Sequence, residues 1–193
     1  MTSGSAGIPA WIGTGVLPPI RPSELGHSSD RSPYRVNLAM LMDQFATSLE
    51  RVAILDGLLR FRAELHAAGI NSGFQWLDGS FFEQVEVLEG RAPRDMDVVT
   101  FLDIPADHNQ ASMVLNYPDL FDSAQVKKNY SMDSYFVVLG DPIDAESIRR
   151  VSYWYSMWSH RRDGLWKGFI QVDLDPSQDG DARALLNLAG GAS

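Results

Sequence analysis

The sequence contains no cysteine, which excludes disulfides, thiolate zinc sites and cysteine nucleophiles together. It also lacks an apolar run of the length a membrane-spanning helix needs. No charged start followed by an apolar stretch marks a signal peptide. The expected location is therefore the cytoplasm, away from membranes. Basic residues are scarce: 16 Lys and Arg stand against 25 Asp and Glu, a formal net charge of −9. That balance argues against a broad nucleic-acid-binding surface, which needs a basic stripe, and is read mainly as a source of solubility. It leaves room for a local basic pocket. His27, His66 and His108 form no metal-spaced set, and His160 is read as structural. Internal repeats and low-complexity blocks are missing.

What is present is enough for one ordinary domain. The chain has 193 residues, and 45% of them are hydrophobic, a globular composition. Residues 1–32 are rich in Gly, Pro and Ser and read as an extended arm that lies on the domain through Ile8, Trp11, Leu17 and Ile20. Residues 33–189 read as the domain and 190–193 as a frayed tail.

Within the domain, Ser32-Pro33 looks like a helix start, and Thr47-Ser48-Leu49-Glu50 like a capping box for a further helix. Gly69 is placed to end that helix. Strands are expected at 70–82, 95–102, 134–139 and 167–174. Helices are expected from Pro105 to Tyr117, from Leu120 to Lys128, from a cap at Asp144 to His160, and from Asp181 to Leu188. Mixed helices and strands make the class α/β or α+β, a small mixed sheet flanked by helices.

The chemistry concentrates in Leu77-Asp78-Gly79-Ser80 and Arg94-Asp95-Met96-Asp97-Val98-Val99. A Gly-Ser pair leaving a strand brings backbone N–H groups and a hydroxyl to a phosphate. Asp95 and Asp97, two apart at the opening of a strand, point to one face. A third aspartate, Asp133, opens another strand. Three carboxylates converging at neighbouring strand ends repel one another unless cations compensate. Hard divalent cations such as Mg²⁺ or Mn²⁺, shared with a nucleoside triphosphate, suit that set. Asp78 is read as structural, capping a turn or orienting the loop.

On these residues the chain resembles the polymerase-β-like nucleotidyltransferase superfamily. More narrowly, it is similar to a bacterial family of small proteins of that fold. The likeness extends over Ile8-Pro9-Ala10, Gly15-Val16-Leu17-Pro18-Pro19, Ala68-Gly69-Ile70, Asp133-Ser134-Tyr135-Phe136-Val137, Tyr153-Trp154 and the segment from Arg162 to Ile170. The resemblance implies a phosphate loop at Gly79 and Ser80, paired metal ligands at Asp95 and Asp97, and a third carboxylate at Asp133. It implies Mg²⁺-dependent transfer of a nucleoside monophosphate from NTP to a protein, an RNA end or a small molecule. The chain departs from the usual motif in its longer path from Gly79 to Asp95. It departs also in having Glu83 or Gln84 where a glycine is common. The acidic insertion, 85–91, could move the triphosphate or form a lid.

Among the local positives, Arg94, Arg162 and Lys167 are the candidates for triphosphate oxygens. Lys127-Lys128, Arg149-Arg150 and Arg161 are further basic positions near the predicted elements. Tyr153, Trp154, Tyr155, Met157, Trp158 and Trp166 form an aromatic cluster that serves as core or partner interface, or stacks a base. Two other readings stand beside the enzyme. One is a catalytically silent protein of the same fold that acts with a partner protein, as in toxin–antitoxin or phage-defence pairs. The other is an incidental acidic patch on an unrelated α/β domain.

Overall fold

The computed structural model describes residues 7–140 and 143–191. In chain order these form β1 (Tyr34–Val36), α1 (Leu38–Phe45), α2 (Leu49–Ala67), β2 (Gly73–Asp78), α3 (Val85–Leu88), β3 (Met96–Leu102), α4 (Gln110–Asn116), α5 (Pro118–Phe121), α6 (Ser123–Tyr130), β4 (Met132–Val138), α7 (Ala145–Trp158), β5 (Ile170–Asp173) and α8 (Asp179–Gly191). Short 3₁₀ turns occupy Ser80–Phe82 and Pro176–Gln178. The five strands make one mixed sheet in the order β1-β5-β2-β3-β4. β2 runs antiparallel to β3 and β5, while β3 pairs with β4 and β1 with β5 in parallel. The class is mixed α/β, as the alternation of patterns predicts.

The sheet has two unlike faces. On one, α1, α2 and α8 deliver Leu41, Phe45, Leu58, Phe61, Leu65 and Leu186 against Leu77, Val98, Ile170 and Val172. Burying each such side chain contributes about 1.5–3 kcal/mol. On the other face Trp76, Val99, Phe101, Val137 and Phe169 take Trp158 of α7, with Trp154 half-buried beside it. Trp154 and Trp158 are one helical turn apart and their rings meet at 5.6 Å, the i, i+4 contact the spacing predicts. None of the helices formed by the described residues is long and apolar enough to cross a membrane.

Residues 7–33 contain no helix, and within them Val16 and Leu17 are fully buried. The Trp11 Nε1–H donates to the Phe82 carbonyl at 2.7 Å. Gln84 N–H donates to Gly15 O and Gly168 N–H to Leu17 O. This segment therefore braces the turn after β2 and the approach to β5, the two places where the site below is assembled.

Local differences from the sequence expectations have physical causes. Ser32-Pro33 does not start a helix. The chain instead makes β1, which pairs with β5, and α1 begins after Asn37, whose side chain accepts from Met40 N–H. α1 and α2 are separate helices. The cap of α2 is Ser48, accepting from Arg51 N–H, one residue beyond the predicted Thr47. Gly69 does end the helix region, at φ +83°. Pro105 precedes a turn, and α4 starts only at the Asn109 capping box with Ser112. The Leu120–Lys128 helix is broken by Asp122, which caps α6. β2, β3 and β5 are shorter than the apolar runs suggest, and β4 starts two residues before the expected strand. Asp133 lies inside β4, and Lys167 precedes β5. α8 continues through Gly190 and Gly191, into the segment expected to fray. Residues 1–6 of the expected arm and 192–193 of the expected tail lie outside the described residues.

Candidate functional site

The site forms where β2 ends and β3 and β4 begin. After Asp78 the chain turns at Gly79, whose φ of +93° is left-handed space that favours glycine. A Cβ there would lie 2.9 Å from Asp97 Oδ2 and 3.2 Å from Asp97 N. The glycine thus admits the Asp97 carboxylate against the loop. Ser80 opens the 3₁₀ turn that follows and is half-buried.

Register does the rest. Asp78 is the cross-strand partner of Asp97, and Asp97 is the partner of Asp133. Neighbouring strands lie about 4.8 Å apart and alternate residues share a face. The three carboxylates therefore form a row across β2, β3 and β4. Asp95, just before β3, joins the end of that row near Asp133.

Two lysines neutralise it in part. α6 ends at Ser131, a left-handed cap with φ +57° whose N–H donates to Lys127 O. This sharp turn folds Lys127 back over the start of β4. Its ammonium lies 2.6 Å from Asp133 Oδ2 and 2.9 Å from Asp95 Oδ2. These hydrogen bonds, to Asp133 first and Asp95 second, raise its pKa above the ordinary lysine value. α6 can approach because α2 carries Gly57: a Cβ there would fall 2.0 Å from Tyr130 O. Lys167, almost wholly buried, donates to Asp78 Oδ1 at 2.9 Å and to Glu83 Oε1 at 3.2 Å. Arg161 reaches the other Glu83 oxygen at 3.3 Å. The backbone of this turn is held from below by Arg51, which donates to Phe81 O and Glu83 O and pairs with Glu86.

The electrostatics follow from burial and crowding. Burial pushes the Asp97 carboxyl up to about 6, helped by Asp133 and Asp95 and opposed by Lys167 and Lys127. Burial also pushes Asp78 up to about 7, against the pull of Lys167 and of the Gly79 N–H. Burial works against the charge of Lys167, but Asp78 and Glu83 outweigh it and hold the ammonium above its ordinary value. Asp78, Asp95 and Asp133 each pair directly with a lysine, whereas the two lysines act on Asp97 only at a distance.

The structure brings Gly79, Ser80, Asp95, Asp97, Asp133 and Lys167 to one end of the sheet. Arg94 is exposed beside Asp95, and Arg162 is exposed. The neighbour of Arg162, Arg161, is the one that reaches Glu83. Asp78, read from the sequence as structural, is buried at the turn and pairs with Lys167. Glu83 and Arg51 are not marked by the sequence as site residues, and Arg161 stands there only among the further basic positions. Glu83 stood only as a replaced glycine, and nothing in the local pattern of α2 marks Arg51 as buried. Lys127 was visible as a local positive a short reach before Asp133.

The donor set suits a hard cation, since carboxylate oxygens bind Mg²⁺ and Mn²⁺. The Asp97 carboxylate, compensated only at a distance and beside Asp133, is an electrostatic reason to take one. As arranged, no group of three or more His, Asp or Glu among the described residues is set to hold a metal ion. The Lys127 ammonium lies between Asp95 and Asp133 instead. Donor chemistry fits the ion, and occupancy requires Lys127 to move aside.

A family model described as a family of unknown function, DUF6932, matches residues 9–173 of the chain. No curated protein and no solved structure matches it.

Proposed function

We propose that this chain, which belongs to the DUF6932 family, is a nucleotidyltransferase of the polymerase-β-like kind. It would move a nucleoside monophosphate from NTP to an acceptor that is a protein, an RNA or a small molecule. The observation that supports this best is the in-register row Asp78, Asp97, Asp133, reached by a glycine turn that leaves room for Asp97. Asp97 and Asp133, with Asp95, are the residues that would hold Mg²⁺ or Mn²⁺. Such an ion supplies charge neutralisation to phosphates and acidifies an attacking oxygen. Gly79 and Ser80 face the triphosphate. Lys167 keeps the turn after β2 closed by tying Asp78 to Glu83. Arg94 and Arg162, both exposed, are free to swing toward phosphate oxygens, with Arg161 nearer the turn. Catalysis of this class is mostly positioning and charge balance, which rigid strand ends provide.

Transfer itself is the test. NTPs labelled at the α-phosphate would be incubated with Mg²⁺, bulk RNA and bulk protein, using wild type and Asp97→Asn. Label in an acceptor with wild type alone supports the enzyme. Absence of label from every NTP with folded protein removes it.

One observation favours a second reading. Lys127 already bridges Asp95 and Asp133, as a permanent counter-ion would. In that reading the chain keeps the fold, does not turn over, and acts through a partner protein. Metal affinity of a Lys127→Met variant separates the two.

A further inference from the structure

Tyr135 follows Asp133 by two residues on β4, so both side chains leave the same face, about 6.6 Å apart along the strand. Opposite them on β3 stand Asp97 and Val99. The carboxylate row and the row of Trp76, Val99 and Tyr135 are therefore adjacent. β4 is the last strand in the sheet order, and the Tyr135 ring is 42% exposed. Its inner side meets the Trp154 ring of α7 at a centroid distance of 4.5 Å, tilted by 46°. Tyr153 extends the same aromatic surface, 5.1 Å from Trp154. Trp154 and Tyr153 also line an open hollow of about 430 Å³ with Glu146, Arg149 and Arg150.

We propose that Tyr135, backed by Trp154, is the platform on which the nucleobase of the nucleoside triphosphate stacks. The proposal rests on the nucleotidyl-transfer reading of the neighbouring carboxylates. Three features converge on a base. A π face with one exposed side accepts any base. One strand step separates it from the row proposed to meet the phosphates, and a ribose spans that kind of distance. The hollow beyond offers guanidinium donors and a carboxylate acceptor, the two kinds of group a base edge requires. A purely packing role for Tyr135, holding α7 to the sheet, would leave nucleotide affinity untouched.

The experiment measures binding of ATP, GTP, CTP and UTP, and of inorganic tripolyphosphate, by calorimetry with Mg²⁺. The proteins are wild type, Tyr135→Ala and Tyr135→Phe, each checked for its melting temperature. The expected result is that Tyr135→Ala weakens the bound NTP by about 5- to 150-fold and leaves tripolyphosphate unchanged, while Tyr135→Phe binds as wild type. Equal NTP affinity of wild type and Tyr135→Ala overturns the platform and leaves the phosphate site standing. So does a wild type that binds tripolyphosphate as tightly as any NTP. Failure of wild type to bind either ligand overturns the platform together with the transfer reading beneath it.

Discussion

Asp97 and Asp133 are direct partners in the parallel pairing of β3 with β4, so two carboxylates leave one face of the sheet a single strand spacing apart. Lys127 pairs with Asp133 and Asp95, and at Asp97 burial and two like-charged neighbours outweigh the more distant pull of Lys167 and Lys127. Such an arrangement costs stability in the absence of a cation, and functional sites commonly carry that cost.

The first prediction follows from that imbalance. Asp97→Asn relieves the repulsion while keeping shape. Its melting temperature is expected to equal or exceed wild type by a few degrees, about 1 kcal/mol. Its Mg²⁺-dependent NTP binding is expected to be lost. A clear fall in melting temperature would show that the Asp97 charge stabilises the fold, contrary to this account.

Lys127→Met removes the ammonium between Asp95 and Asp133. The lysine side chain is 50% exposed, so stability should change by no more than about 1 kcal/mol. Affinity for Mn²⁺ or Mg²⁺, titrated by calorimetry, should rise several-fold, because the ion no longer competes with a tethered cation. Unchanged or weaker metal binding would favour the silent reading, in which Lys127 is the permanent counter-ion.

Gly79→Ala tests the turn. The new Cβ would sit in left-handed backbone and 2.9 Å from Asp97 Oδ2. Strain and overpacking together should cost about 1–3 kcal/mol, measured by urea unfolding, and NTP binding should fall with the displaced carboxylate. A variant as stable as wild type would mean that the loop relaxes freely.

These outcomes depend on features that differ in how far the sequence reveals them. Gly79-Ser80, Asp95-x-Asp97 and Asp133 are legible because local spacing on strands places side chains on faces. Their register is not legible: that Asp78, Asp97 and Asp133 share a row is set by pairing between distant segments. β1 was missed because Tyr34-Arg35-Val36 is too short to show a period, and Ser32-Pro33 mimics a helix start. Lys167 reads as a candidate for phosphate oxygens, and its burial against Asp78 and Glu83 is not legible, since a charged residue is rarely buried and only the folded chain shows the partners that permit it. Arg162 drew attention through resemblance, whereas the turn geometry directs Arg161 to Glu83.

Arg62 provides a stability prediction away from the site. It is fully buried and donates to Asp179, Gln75, and the carbonyls of Asp173 and Asp175. Arg62→Met should cost about 3–5 kcal/mol, since it leaves buried acceptors and a carboxylate without their partner.

The same contact gives a pH dependence. Burial pushes the Asp179 carboxyl up, but the nearby His66 ring and the hydrogen bonds from Arg62 outweigh it and hold the group below its ordinary value. A depressed carboxyl stabilises the fold above the unfolded pKa of about 4 and loses that contribution as pH falls through the folded value. Asp179→Asn should therefore show a shallower loss of stability below about pH 4 than wild type. Equal acid slopes would contradict this.

Cation-dependent nucleotide binding at the carboxylate row is measured by calorimetric titration of wild type with each NTP, with and without Mg²⁺, beside an Asp97→Asn/Asp133→Asn double variant that retains the wild-type melting temperature. Mg²⁺-dependent binding of at least one NTP by wild type, and none by the double variant, is the expected result. Binding that survives the double substitution, or that ignores Mg²⁺, would contradict it.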